Sequence, residues 1–180
     1  MLLGVAATER ELGAVEGAET LACGMGPVEA AAATARALER DRPSALLHVG
    51  IAGARGLAIK TAVIGTSSLY CDIAAAIPVV ERVEPDAALL AALRDAFPHL
   101  PALPIGTSAR VGGNGDDVRV EAMEGFGVLR AAELAGVPAV EVRVISNEID
   151  EPDRAKWRFA EALDALAEVL PRLVAVASAA

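Results

Sequence analysis

The sequence predicts an α/β fold, a three-layer αβα sandwich around a mixed, largely parallel central sheet, with residues 1–180 as a single domain. Three observations predict it. Short, wholly apolar runs such as Leu2–Ala7 and Ala139–Ile145 are the pattern of strands covered on both faces, the condition of parallel strands between helix layers. These runs alternate with Ala-rich helical stretches. Glycine-bearing or polar clusters close several of the runs, and in such sheets ligands sit beyond the carboxyl ends of the strands.

Leu2–Ala7 is the first strand, and Thr8 opens a helix. Thr20–Cys23 is a second short strand, ended by Gly24-Met25-Gly26. Pro27 suits the first helical position, where a missing N–H loses no partner, and that helix runs to Arg40 and stops before Pro43. Ala45–Val49 is a strand closed by a Gly50-Ile51-Ala52-Gly53 turn, and Thr61–Leu69 is another strand. The stretch from Tyr70 to Arg82 carries no clear period. Pro85-Asp86 starts an amphipathic helix to Phe97, with Leu89, Leu90 and Leu93 on one face. Pro98, Pro101 and Pro104 mark a connector, Ile105–Val111 reads as strand, and Gly112–Asp117 is the most loop-like segment. Val118, Val120 and Ala122 alternate toward Met123. A helix from Glu124 to Ala135 stops at Gly136, a C-terminal cap glycine, and Ala139–Ile145 follows as strand. A final helix runs from Asp153 to Leu170, where Pro171 bends or ends it.

Composition narrows the function. Hydrophobic residues make up 54% of the chain but aromatics only 3%, so the core is built from Ala, Val, Leu and Ile. The 25 acidic residues outnumber the 16 basic ones, for a net charge of −9. That balance argues against nucleic acid and against an anionic membrane surface as partners, since both require basic faces. No apolar run approaches the ~20 residues of a membrane span, and the N-terminus lacks a signal peptide's basic start. Cys23 and Cys71 form no close pair and neither sits near a His-rich run, so neither a metal site nor a disulfide is expected, and a reducing cytoplasm is the expected location.

Each candidate residue has a plain structural reading beside a functional one. Gly24-Met25-Gly26-Pro27-Val28-Glu29 is half of a dinucleotide fingerprint, but Glu29 replaces the third glycine and would repel a pyrophosphate, so it reads as a turn and no cofactor is expected. Thr8 and Glu11 have capping-box spacing, and Glu124 can ease a helix dipole. His48 ends an apolar run as a core histidine, and His99 between prolines is exposed. Glu141 and Arg143 share one face of a strand and read as a partly buried ion pair that stiffens the sheet.

Four ordered motifs add a resemblance. Met123-Glu124 at the start of a helix and Ser146-Asn147 at the end of the next strand resemble the C-terminal half of the purine nucleoside phosphorylase and nucleosidase superfamily. Val49–Gly53 resembles that superfamily's Thr-Gly-x-Ala-Gly turn, and Ala7–Glu11 resembles the acidic motif of its methylthioadenosine/S-adenosylhomocysteine nucleosidase branch. The whole pattern is most similar to the futalosine hydrolase family, which releases hypoxanthine in menaquinone biosynthesis. The resemblance implies a nucleoside phosphorylase/hydrolase-like fold and hydrolysis of the N-glycosidic bond of a 6-oxopurine nucleoside. An adenine-releasing nucleosidase and a non-catalytic nucleoside-binding relative are the alternatives. It also implies the site. Glu11 orients and deprotonates the attacking water, and Asn147 donates to the departing purine, with Ser146 beside it. Met123 and Glu124 bind the substrate, Glu124 by accepting from the ribose 2′- and 3′-hydroxyls. Ile51, Ala52 and Gly53 bring backbone close to the ligand, and Val111 adds to the wall. No aromatic near Ala109-Arg110-Val111 matches the one that commonly stacks on the base. The expected partners are a small purine nucleoside and further copies of the chain, as a dimer or a multiple of dimers.

Overall fold

The computed structural model describes residues 1–13, 15–73, 76–111 and 118–180. Along the chain the elements are β1 (Leu2–Ala6), α1 (Glu9–Leu12), β2 (Glu19–Ala22), α2 (Pro27–Asp41), β3 (Ala45–Ala54), β4 (Ala62–Tyr70), β5 (Arg82–Val83), α3 (Ala87–Ala96), β6 (Ala102–Thr107), β7 (Val120–Ala122), α4 (Gly125–Ala135), β8 (Ala139–Glu148) and α5 (Phe159–Ala179), with a short 3-10 turn at Arg154–Lys156 before the last helix. The loop expected at 112–117 lies outside the described residues.

The sheet is mixed, and it closes on itself. The strand order is β2-β1-β3-β7-β6-β4-β5, while β8 pairs with β3 in parallel and with β4 antiparallel. Strands β3, β7, β6, β4 and β8 therefore form a ring, from which β1 and β2 extend on one side and β5 on the other. Antiparallel pairs β3–β7, β4–β5 and β4–β8 stand among the parallel ones. The expected mixed sheet and αβα layering hold, and the sheet is in addition partly closed. Ala52, Ala54, Val63, Ile105, Val120, Ala122 and Ile145, all on ring strands, form a core cluster of their own. Mostly small side chains suit the limited interior of a ring with so few strands.

Helices nevertheless cover both sides. Leu12 of α1, Leu89 and Leu93 of α3, and Leu166, Leu170 and Leu173 of α5 share one cluster with β3, β4 and β8. Ala30, Ala37 and Leu38 of α2 and Val128, Leu129 and Ala132 of α4 share another with β1 and β3. Asp86 caps α3 by accepting from the Ala88 and Leu89 amides at 2.9 and 3.0 Å, as the Pro85-Asp86 start anticipated.

Five expectations need correction. Gly50–Gly53 is no turn, because β3 continues through it to Ala54 and pairs with β8 along its length. Pro104 is no connector; it lies within β6, opposite a register shift between Gly65 and Ser67 of β4, where its lack of an N–H is tolerated. The last helix begins at Phe159, six residues later than expected. It also runs through Pro171, because Leu166, Leu170, Leu173 and Val174 are packed on the sheet on both sides of that residue and outweigh its lost hydrogen bond. Finally, β8 extends past Ile145, so Ser146 and Asn147 are strand residues.

Candidate active site

One cavity of about 420 Å³ opens at the carboxyl ends of β1, β3 and β8, and Glu11, Ile51, Ala52, Gly53, Val111, Met123, Glu124, Ser146 and Asn147 all line it. The chain brings every residue of the expected site to one place.

Glu11 reaches the cavity from the one-turn helix α1 and is only 8% exposed. Its Oε2 accepts from the Thr8 amide at 2.9 Å and the Thr8 hydroxyl at 2.8 Å. Its Oε1 accepts from the Ile51 amide at 3.2 Å. The capping relation and the cavity position therefore coexist, and the Ile51 amide is spent on Glu11 instead of facing outward as a free donor.

Glu124 stands just before α4 and is 4% exposed. Its Oε1 accepts from the Gly26 amide at 3.1 Å, and its Oε2 lies 3.4 Å from Arg143 Nη1. Gly26 has a φ of 90°, a conformation that favours glycine. The Gly24–Gly26 turn thereby presents a backbone amide to Glu124.

Ser146 and Asn147 owe their joint position to a β-bulge. Ala52 pairs with Ile145 but Gly53 pairs with Asn147, leaving Ser146 as the extra residue. In a regular strand neighbours point to opposite faces; the bulge turns both toward the cavity. Asn147 Nδ2 donates to the Glu148 carbonyl at 3.0 Å, and its Oδ1 accepts from Ser146 Oγ at 2.8 Å. A carbonyl only accepts, so the amide cannot be flipped. One Nδ2 hydrogen remains for a ligand.

Behind the cavity wall lies a buried network larger than strand alternation suggests. Arg143 and Glu141 are not partly but wholly buried, at 0% exposure. Arg143 Nε donates to Glu141 Oε1 at 2.8 Å, and its Nη2 contacts His48 Nε2. Since a guanidinium only donates, His48 accepts at Nε2 and donates its Nδ1 hydrogen to the Val5 carbonyl at 3.0 Å. Burial first, then the Arg143 charge, holds the His48 pKa well below the usual histidine value, so the ring is neutral. Burial raises the Glu141 carboxyl, and Arg143 opposes that rise.

Other cavity residues are not legible in the sequence. Trp157 and Phe159 stand on the wall in edge-to-face contact, their ring centroids 5.5 Å apart. They arrive there because the Arg158 amide donates to the Ser146 carbonyl at 2.8 Å, holding the segment before α5 beside the bulge. They are the cavity's aromatic side chains among the described residues, and no strand or helix period marks them. Arg10, Met25 and Arg154 also line the wall. Arg55 does not: it pairs with Asp150 at 2.9 Å and donates to the Val118 carbonyl at 2.8 Å. Among the described residues no cluster of three or more His, Cys, Asp or Glu could hold a metal ion, and no helix is long and apolar enough to cross a membrane.

Comparison with known proteins agrees with this arrangement. The phosphorylase superfamily model matches residues 13–180. A futalosine hydrolase from Streptomyces coelicolor is 34% identical over 188 residues, spanning 89% of this chain and 80% of that protein. Among solved structures, the futalosine hydrolase of Helicobacter pylori superposes with a TM-score of 0.85 at 16% identity, covering 97% of both chains. The S-adenosylhomocysteine nucleosidase of Streptococcus pyogenes, in complex with 5-methylthiotubericidin, superposes with a TM-score of 0.84 at 22% identity, over 97% of this chain and 96% of that one. The structural likenesses establish the fold, the sequence match over most of both chains establishes the kinship, and on these grounds the chain belongs to the phosphorylase superfamily and, within it, to the futalosine hydrolase family.

Proposed function

We propose that this protein hydrolyses the N-glycosidic bond of futalosine, a 6-oxopurine nucleoside, releasing hypoxanthine and dehypoxanthine futalosine for menaquinone biosynthesis. The observation that carries the reading is the convergence of two inward-held carboxylates, Glu11 and Glu124, with the Ser146–Asn147 bulge on one cavity, in a chain 34% identical to a futalosine hydrolase.

In this reading the cavity groups divide the chemistry as follows. Glu124 accepts from the ribose 2′- and 3′-hydroxyls and favours the positive charge that builds on the sugar as the bond to the base lengthens. Glu11, fixed by three donors, accepts a proton from water as its oxygen bonds to C1′. The C1′–N9 electron pair leaves with the purine, which takes up a proton. The remaining Asn147 Nδ2 hydrogen donates to N7 or O6 as charge accumulates there. The family match begins at residue 13, so the role of Glu11 rests on its position and on the motif around it. Water, not phosphate, is the nucleophile in this reading: of the two candidate arginines, Arg55 is committed to Asp150 and Val118, and although Arg10 lines the cavity, the Glu11 carboxylate would repel a phosphate at C1′.

Incubation with futalosine or inosine in phosphate-free buffer is expected to release free hypoxanthine. A requirement for added phosphate, with ribose-1-phosphate products, would overturn hydrolysis. The same assay reads the base preference. An asparagine amide donor matches a 6-oxo group, and a mismatched buried polar pair costs about 1–3 kcal/mol, or about 5- to 150-fold in selectivity. Asn147→Asp is expected to move the kcat/KM ratio toward 6-aminopurine nucleosides, because a carboxyl in this place faces the Glu148 carbonyl and is favoured in its protonated form. Wild-type protein that prefers methylthioadenosine would replace this reading with the adenine-releasing one.

The active form in this proposal is a dimer or a multiple of dimers. Met25 lines the cavity while 69% exposed, and Val28 beside it is 75% exposed, an apolar rim that a second copy would cover. Light scattering at micromolar concentration is expected to give at least twice the chain mass; a fully active monomer contradicts it.

A further inference from the structure

We propose that Thr107 is a positioning residue for Glu124: its hydroxyl supplies the cap of α4 that Glu124 would otherwise provide and so leaves the Glu124 carboxylate free for the sugar, a role that rests on the nucleosidase reading above.

The first amides of a helix have no partner within it, and the N-cap residue ordinarily satisfies one or two of them with its own side chain. Asp86 does so at the start of α3, from an extended backbone, by accepting from the Ala88 and Leu89 amides. Glu124 holds the same place at the start of α4 and has a carboxylate to offer, yet it makes no such bond. Its φ of −119° and ψ of −30° are helical instead of extended. Its carboxylate turns the other way, accepting from the Gly26 amide at 3.1 Å and standing on the cavity wall.

The open place in the cap is filled from another strand. Phe126, the second residue of α4, donates its amide hydrogen to Thr107 Oγ1 at 2.8 Å. Thr107 ends β6, nineteen positions earlier, and is wholly buried without lining the cavity. Strand pairing puts it there. β6 runs parallel to β7 with Thr107 opposite Ala122, and the Ser108 amide donates to the Ala122 carbonyl at 3.1 Å. Ser68 Oγ of β4 lies 3.3 Å from Thr107 Oγ1. While one Oγ1 lone pair takes the Phe126 hydrogen, the hydroxyl's own hydrogen therefore has Ser68 to go to. The Phe126 ring stacks on Tyr70, also of β4, with centroids 5.1 Å apart, which holds the same residue from its side-chain end.

Without the Thr107 hydroxyl the Phe126 N–H is a part-buried donor that lacks a partner. The N-cap's own carboxylate is an acceptor able to turn toward it. Glu124 would then divide its time between the helix and the ribose, and the loss would fall on substrates through their sugar hydroxyls.

The test compares hypoxanthine release from inosine and from 2′-deoxyinosine by wild type, Thr107→Val and Thr107→Ser. Valine keeps the shape of threonine but cannot accept a hydrogen bond, whereas serine can. Wild type is expected to favour inosine, whose 2′- and 3′-hydroxyls both meet Glu124. In Thr107→Val the inosine to 2′-deoxyinosine ratio of kcat/KM is expected to fall about tenfold, chiefly through a higher KM for inosine, while Tm drops by only a few degrees. Thr107→Ser should keep the ratio near wild type. In the unaltered protein the Phe126 amide is expected to be protected from hydrogen exchange, although no bond within α4 protects it. Exchange as fast as that of an uncapped helix start overturns the proposal, even where Thr107→Val fails to fold or inosine is a poor substrate. Wild type that releases hypoxanthine from neither these nucleosides nor futalosine refutes the nucleosidase reading beneath. An active wild type whose Thr107→Val variant loses both substrates by the same factor, or whose Thr107→Ser variant loses the ratio as fully as valine, overturns the role of Thr107.

Discussion

Glu11→Gln is expected to lower kcat by on the order of 10²-fold or more, with KM close to wild type, because it removes the proposed base while leaving the proposed ribose contacts alone. The variant also exposes how tightly the carboxylate is specified. Both Glu11 oxygens accept hydrogen bonds, Oε2 from the Thr8 amide and hydroxyl and Oε1 from the Ile51 amide. A glutamine must turn its NH2 toward one of those backbone N–H groups, and such a mismatch costs about 1–3 kcal/mol. Glu124→Gln differs in kind. Its NH2 would face either the Gly26 amide or the Arg143 guanidinium, and the ribose loses its acceptor, so KM rises as kcat falls. Steady-state kinetics on both variants, with thermal melting as control, separate the roles. Wild-type turnover in Glu11→Gln would return that residue to a helix cap.

Adding a single methyl at Gly50 is expected to be nearly as damaging as removing the base. The new Cβ would sit 2.4 Å from Arg143 Nη1 and 2.8 Å from Glu11 Oε1. Side-chain ends often move aside cheaply, but here Arg143 is wholly buried and bonded to Glu141 and His48, and Glu11 is held by three donors. Overpacking of this sort costs about 1–3 kcal/mol. For a chain of this size that lowers Tm by roughly 2–12 °C. The displaced atoms belong to Glu11, the proposed base, and to Arg143 beside it, so Gly50→Ala should lose kcat well beyond what its melting temperature explains. Full activity with an unchanged Tm would mean that the guanidinium and Glu11 are not held as described.

Much of this is readable along the chain because it is local. Strands covered on both faces advertise themselves as apolar runs: β1, β3 and β8 begin where their runs begin, and β4 one residue after Thr61. Pro27, Asp86 and Gly136 mark helix ends through the hydrogen bonds that helix termini leave open, which depend on the neighbouring few residues. The Met123-Glu124 and Ser146-Asn147 pairs are legible as motifs, together with the acidic residue at Glu11. Capping-box spacing explains why Glu11 looks structural, and the structure keeps that role while placing the carboxylate in the cavity.

What the sequence by itself determined, then, is the alternation of elements, their caps and the identity of the chemical groups. The tertiary structure alone decided how those groups meet. Closure of the β3–β7–β6–β4–β8 ring depends on β8 pairing on both edges, a choice that no local period encodes. The bulge at Ser146 arises from register against β3, some ninety residues earlier, and it alone aims Ser146 and Asn147 together. The Arg158 amide finds the Ser146 carbonyl and so brings Trp157 and Phe159 to the wall, supplying aromatics that the segment around Val111 lacks. Arg143 looks like half of a strand ion pair because alternation reveals only its own strand; its contact with Glu124 and its approach to Glu11 through Gly50 exist only once β3, β8, α1 and α4 are packed. The reason is the range of the forces involved: backbone propensity and capping act over a few residues, whereas the desolvation that binds Arg143, Glu141, Glu124 and His48 into one buried network appears only when distant segments exclude water together.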